Sequence, residues 1–257
     1  MAADPQELLA LATEAARAGG TLLRARFESG QERRIASKST PTDPVSQADL
    51  ESQRTIHALI ASRRPDDAFL AEEAGADEEG SSGLHWVVDP LDGTVNFLYG
   101  IPQWSVSVAV RDEHGALAGV VHDPMRDETF TAVRGEPPAR NGVPLPSRAE
   151  DAPPLAQSLI ATGFAYAADV RAEQGAIVAR LLPAVRDIRR LGSAALDLCG
   201  TALGRFDAYY ERGVHIWDTT AGALVCSCAG LVVRPIPGGI MAAPPALVDA
   251  LEAIILG

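Results

Sequence analysis

The stretch Trp86-Val87-Val88-Asp89-Pro90-Leu91-Asp92-Gly93-Thr94-Val95-Asn96-Phe97 leaves the chain few ways to fold. Its apolar run reads as a short buried strand, and Pro90 stops it because proline brings no ladder donor. Asp89 and Asp92 then stand where the chain turns out of a sheet, close enough to grip one cation together. Gly93 and Thr94 read as a helix start, whose free N–H groups can hold an oxyanion. Acids for a metal beside amides for a phosphate point to metal-assisted phosphoryl chemistry. An Asp-rich turn with a helix cap is the other reading open at this point.

Composition narrows the classes. With 257 residues the chain can form one large domain or two small ones. Hydrophobic residues make up 47% and charged residues 22%, which fits neither disorder nor a fibrous repeat. A formal net charge of −12 argues against a sequence-independent nucleic-acid binder, so no nucleic-acid partner is expected. No apolar run approaches the length of a transmembrane helix, and Met1 to Glu14 lacks the basic and apolar regions of a signal peptide. Cys199, Cys226 and Cys228 lie in apolar surroundings and read as buried thiols of a reduced compartment. A cytoplasmic protein without a membrane partner is expected.

The first half opens with a helix from Asp4-Pro5 to Phe27, keeping Leu8, Leu11, Ala15, Gly19 and Leu22 on one face. Lys38 to Val45 reads as extended, since its two prolines forbid helix. Ser46-Gln47-Ala48-Asp49 has capping-box spacing and opens a helix to about Arg64. Ala68 to Ala71 is a short strand that leads into Glu72-Glu73. After the central stretch the period becomes two: Val106, Val108 and Val110 alternate with Ser105, Ser107 and Ala109. Strands over 116–122 and 128–134 complete an antiparallel meander. The Pro-rich, acidic segment Ser147 to Pro154 is the best boundary between subdomains, giving 1–150 and 151–257.

The second half alternates strand and helix. Strands are read at 158–162, 188–191, 207–211, 231–236 and 239–242. Helices are read at 170–182, from Gly192-Ser193 to Gly204, from Asp218 to Gly230, and from Pro244-Pro245 onward. Antiparallel strands first and alternating units later predict a mixed α and β fold with helices layered between two sheets. Glu72-Glu73 follows its strand as Asp89 follows the next, so two adjacent strand ends would present their acids at one edge. Asp218 reads as a helix cap or as a site acid walled by Trp217.

These motifs, in this order, resemble the inositol monophosphatase family of divalent-metal-dependent phosphatases. The family's D-P-[apolar]-D-G-T-x-N-F signature is present as Asp89 to Phe97. Its upstream metal Glu is similar to Glu72, and its K-S-x-P-x-D-x-V-x-x-A-D segment to Lys38 through Asp49. Its G-[ST]-A-A-L-x-x-C helix start resembles Gly192 to Cys199, its A-Y-Y-E segment Ala208 to Glu211, and its W-D pair Trp217-Asp218. The chain departs from the second signature at Thr220, Cys228 and Leu231, which bears on packing and subfamily rather than on the metal acids.

The resemblance implies an α-β-α-β-α sandwich of the sugar-phosphatase type forming one compact unit. It implies Mg²⁺, two or three ions per chain. Glu72, Asp89 and the Leu91 backbone oxygen would hold one ion, and Asp89, Asp92 and Asp218 a second. Asp49 and the Thr94 hydroxyl, with Glu72, would serve the attacking water, although Asp49 also reads as a helix cap. The Gly93 and Thr94 amides would hold the phosphate. Asp92, Gly192, Ser193, Ala194, Glu211 and Asp218 would face a small phosphorylated polyol, inositol 1-phosphate first. Histidinol phosphate is the runner-up, because Glu211 would welcome its amine. Fructose 1,6-bisphosphate and 3′-phosphoadenosine 5′-phosphate belong to related families. A metal-binding regulatory protein without turnover is the different-class alternative. Lithium inhibition and a homodimer complete the implied picture. Lys38 reads first as a surface lysine and second as a neighbour of the water or of a third metal, His215 equally as a neighbour of the site or a structural imidazole, and the other histidines carry no assigned role.

Overall fold

Asp4 opens the first helix by accepting a hydrogen bond from the Gln6 amide at 2.9 Å, and Gly30, at φ 67°, closes it. The computed structural model describes residues 4–30, 36–37, 44–45, 47–73 and 78–257. The extended reading of 38–43, the surface reading of Lys38 and the capping role of Ser46 lie outside the described residues. The elements in chain order are α1 (Pro5–Ser29), the paired strands β1 (Ala36–Ser37) and β2 (Pro44–Val45), α2 (Gln47–Arg63), β3 (Ala68–Ala71), β4 (His85–Asp92) and α3 (Thr94–Leu98). Then come β5 (Ser105–Asp112), β6 (Gly115–Asp123), β7 (Glu128–Val133), β8 (Ala139–Arg140) and β9 (Val143–Pro144). The second half holds β10 (Leu159–Thr162), α4 (Ala168–Leu181), β11 (Asp187–Arg189), α5 (Ala194–Leu203), β12 (Ala208–Arg212), α6 (Ile216–Cys228), β13 (Val232–Ile236), β14 (Gly239–Ala243) and α7 (Pro245–Leu256).

A seven-stranded sheet runs β3 to β9 in sequence order, antiparallel except for the parallel pair β3/β4. A five-stranded sheet has the order β11-β10-β12-β14-β13, parallel across β11, β10 and β12 and antiparallel beyond. The period-two pattern decides what each face meets. Val106, Val108 and Val110 turn to Leu8, Leu11, Leu23, Ile56 and Ile60 of α1 and α2. Ala109, Val121, Phe130 and Ala132 face the other way, onto Leu198, Cys199, Ala221 and Val225 of α5 and α6. Those helices press their far side on Ala161, Tyr209 and Ala242 of the smaller sheet. Its outer face, with Ile160, Tyr210 and Met241, is covered by Ile177 and Leu181 of α4 and by Leu247, Leu251 and Ile255 of α7. The layers are therefore α-β-α-β-α, as the sequence reading has it.

Two readings change. The strand read as ending at Pro90 continues to Asp92. The pairing of β4 with β5 shifts register between Asp89↔Ser107 and Asp92↔Ser105, and Pro90 sits in that bulge, where the missing N–H breaks no ladder bond. The helix read as starting at Asp218 starts at Ile216 with His215 as its N-cap, and Asp218 lies inside the first turn.

The segment between the sheets is pinned by Arg148, whose side chain is 3% exposed. Its backbone N–H donates to Ala229 O at 2.7 Å. One guanidinium nitrogen donates to Thr201 O at 2.9 Å and reaches Phe206 O at 3.5 Å.

Candidate active site

The parallel register puts Ala71 opposite Val88, so the next residues, Glu72 just past the end of β3 and Asp89 within β4, stand side by side. The Glu72 amide still donates to Val88 O at 3.2 Å. Asp89 is almost fully buried, and its Oδ1 accepts from the Leu91 amide at 2.9 Å. The bulge brings Asp92 to the same edge. Gly93 follows at φ 97°, with Gln103 O and Gly192 O so near that a Cβ would lie 3.0–3.1 Å from them. Only glycine fits there, and its fit lets the two halves of the chain touch beside the acids. Asn96 of α3 secures this approach by donating to both Gln103 O at 2.7 Å and Leu191 O at 2.8 Å.

The Thr94 hydroxyl lies 3.1 Å from Asp49 Oδ1 and 3.1 Å from Leu91 O. Asp49 is buried in the first turn of α2, where it reaches across to Thr94. From the other half, α5 begins at its N-cap Ser193 and points its first amides at Asp92. Ala195 N–H donates to Asp92 Oδ2 at 2.9 Å, Ala194 N–H to Oδ1 at 3.2 Å, and the Ser193 hydroxyl also donates to Oδ2. An acid from the larger sheet thus caps a helix of the middle layer, the favourable sense for a helix dipole. Glu211, at the end of β12, accepts from the Tyr209 hydroxyl at 3.0 Å. Asp218 accepts from the His215 amide at 2.6 Å, and the His215 and Trp217 rings stack with centroids 4.9 Å apart.

Glu72, Asp89, Leu91, Asp92, Gly93, Thr94, Gly192, Ala194, Glu211 and Asp218 line one cleft of about 690 Å³. Two residues of the sequence-derived set stand just behind it: Asp49 beneath Thr94, and Ser193 beneath Asp92. The cleft also takes in Phe164, Tyr166, Arg190 and His215, to which sequence reasoning gave no part in the site. No motif marks them.

Burial pushes the Asp89 carboxyl well above its usual range, and Glu72, Asp92 and Asp218 push it further. Burial raises Asp218 in the same way, with Asp92 adding to it. Asp92 is pushed up to about 6 by burial, against the pull of Ser193, Ala195 and Ala194. Glu211 is pushed up to about 7, again by burial first, with the Tyr209 hydroxyl opposing. Converging acids that raise one another are the donor set a hard divalent cation neutralises, all oxygen and no sulfur. In kind the residues fit such an ion. Asp89, Asp92 and Asp218 accept from backbone amides, and among the described residues no three Asp, Glu, His or Cys side chains close on one point to hold a metal as they stand.

Asp197 was read only as part of a helix. It is 1% exposed, and neither carboxylate oxygen has a hydrogen-bond partner. Burial, then Glu211 and Asp92, hold its pKa well above the usual carboxylate range. The folded state therefore keeps this proton more tightly than the unfolded chain. Its contribution to stability is intact below about pH 4 and is lost as pH rises toward the folded pKa. Asp197→Asn, neutral and of the same shape, should be about 1–3 kcal/mol more stable than the parent at pH 8 and no more stable at pH 4. Thermal melts at the two pH values check this; destabilisation at both would show that Asp197 has a partner that matters.

Residues 4–253 match the model of the inositol monophosphatase family, and the chain belongs to that family. Its fold is thus that of a phosphatase family. An inositol-1-monophosphatase of Mycobacterium leprae is 42% identical over 236 residues, spanning 86% of this chain and 81% of the relative. The Nus factor SuhB of Escherichia coli is 37% identical over 255 residues, spanning 96% and 94%. The crystal structure of the extragenic suppressor protein suhB from Bartonella henselae superposes with a TM-score of 0.89 at 32% identity, over 97% of this chain and 98% of that one. No helix among the described residues is long and apolar enough to cross a membrane.

Proposed function

We propose that the chain is a Mg²⁺-dependent phosphatase of small polyol monoesters, with inositol 1-phosphate as its substrate. The observation that carries this is the meeting of Glu72 and Asp89, neighbours across the β3/β4 pair, with Asp92, Asp218 and the Thr94–Asp49 pair around one cleft. Glu72, Asp89, the Leu91 carbonyl, Asp92 and Asp218 are the residues we assign to two or three Mg²⁺ ions. Bound there, the ions supply Lewis-acid activation of water and neutralise the leaving alkoxide.

The protein's own groups do the rest. The Thr94 hydroxyl accepts from the attacking water while donating to Asp49, so the water proton has a path to a buried carboxylate. The Gly93 and Thr94 amides orient the phosphate. The start of α5, at Gly192, Ser193 and Ala194, and Glu211 meet the hydroxyls of the polyol. Glu211 repels a second phosphate, which favours a neutral cyclitol. Histidinol phosphate stays as the second reading, because Glu211 lines the cleft as an acid that an amine could meet. We place the enzyme in the cytoplasm as a homodimer that lithium inhibits.

Phosphate release from inositol 1-phosphate and from histidinol phosphate, each with Mg²⁺ and with a chelator, tests the proposal. Expected is metal-dependent release that is faster from inositol 1-phosphate. Faster release from histidinol phosphate would overturn the substrate. Release from neither, in a protein that still binds Mg²⁺, would favour the non-catalytic role that relatives named Nus factor bring into view.

A further inference from the structure

Helix α4 lies outside the smaller sheet, yet two of its side chains hold the segments that wall the cleft. Gln174 is 3% exposed, and both ends of its amide are used. Its Oε1 accepts from the Ala165 amide at 2.9 Å. Its Nε2 donates to Arg212 O at 2.8 Å and stands 3.4 Å from Gly163 O. One helical turn earlier, Arg171 donates to Tyr166 O at 2.6 Å and to Ala165 O at 3.2 Å. Gln174 therefore ties the segment after β10 to the residue after Glu211, and Phe164, Ala165 and Tyr166 of that segment line the cleft. Parallel pairing of Thr162 with Tyr210 sets Gly163 beside Glu211. A Cβ on Gly163 would fall 2.0–2.2 Å from the Glu211 carboxylate, so the carboxylate occupies the space a side chain would need.

We propose that Gly163 and Gln174 are positioning residues for the leaving-group side of the cleft: Gly163 leaves the space in which the Glu211 carboxylate rests, and Gln174 fixes that space against β12. This rests on the reading of Glu211 as a substrate contact. Neither residue lines the cleft, so their effect reaches the substrate through Glu211 and the 164–166 wall. Contacts made equally in ground and transition states change KM and leave kcat.

The test is steady-state kinetics of the Mg²⁺-loaded full chain, comparing Gly163→Ala, Gln174→Met, Glu211→Gln and the double variant Gly163→Ala/Glu211→Gln. Substrates are inositol 1-phosphate and methyl phosphate, which has no polyol to contact Glu211. Expected for Gly163→Ala and for Gln174→Met is a KM for inositol 1-phosphate raised about tenfold or more, the scale of one charge-assisted hydrogen bond, with kcat within about twofold. Methyl phosphate kinetics should stay within about twofold, and the double variant should be no worse than Glu211→Gln. If Gly163→Ala does not fold, Gln174→Met decides. Equal losses on both substrates, or additive losses in the double variant, would overturn the proposal while an active parent leaves the phosphatase reading standing. An inactive parent protein removes both.

Discussion

Asp89→Asn is expected to abolish phosphate release while making the metal-free protein more stable. Asp89 sits where burial and three other acids all oppose its charge. Asparagine keeps the one hydrogen bond Asp89 makes in the fold, because its Oδ1 can still accept from the Leu91 amide. It removes a charge that Glu72, Asp92 and Asp218 repel, so without cation the melting temperature should rise. With Mg²⁺ the order reverses. The parent should gain about 2.7 kcal/mol at a hundredfold excess over its dissociation constant, and the variant close to nothing. Lewis-acid activation is worth several kcal/mol, so turnover should fall about a thousandfold or more. Melting curves with and without Mg²⁺, read beside the assay, give three signs that must agree. A variant that retains activity would remove Asp89 from the reaction.

Arg148→Met should lower stability at a place away from the cleft, by roughly 2 kcal/mol. The ion pair contributes little to that figure: Asp151 is 69% exposed, and Arg148 Nε, 2.9 Å from its Oδ2, lacks the alignment of a hydrogen bond. The cost lies in buried carbonyls. Thr201 O, near the end of α5, keeps the Gly204 amide at 3.1 Å and loses its second donor, while Phe206 O, before β12, loses the guanidinium, at about 1–3 kcal/mol for a group left unsatisfied. Methionine fills part of the volume, so packing loss is small. Lysine should rescue little, since one ammonium cannot reproduce the planar fork. Denaturant midpoints at unchanged slope give the measurement. A loss below about 1 kcal/mol would mean that water replaces the guanidinium.

What the sequence discloses about this chain follows from the range of each interaction. Ala68–Ala71 could be read to the residue because a short apolar run bounded by turn residues is a local signal. So could the start of α5, where Ser193 caps its own helix. The course of β4 through Pro90 could not, since a bulge is a property of two strands and β5 is its other half. Asp218 reads as the cap although it stands three residues inside, because His215 is an uncommon N-cap and the acid looks the better candidate. The acids of the cleft were legible through motifs, and their convergence through the idea that neighbouring strands end at one edge. Phe164, Tyr166, Arg190, Gln174 and Asp197 had no such mark. Gln174, for one, matters through Arg212, 38 residues further along the chain.

The hold of α5 on Asp92 also sets a timetable. Asp92 and Ser193 are 101 residues apart, so a ribosome that has just released the first acids has yet to make the amides that receive one of them. Glu211 and Asp218 come later still. A chain stalled or clipped before that point carries half a cleft, without the α5 amides, Glu211 or Asp218. The cleft is therefore completed only late in synthesis, once α5, β12 and α6 have been made.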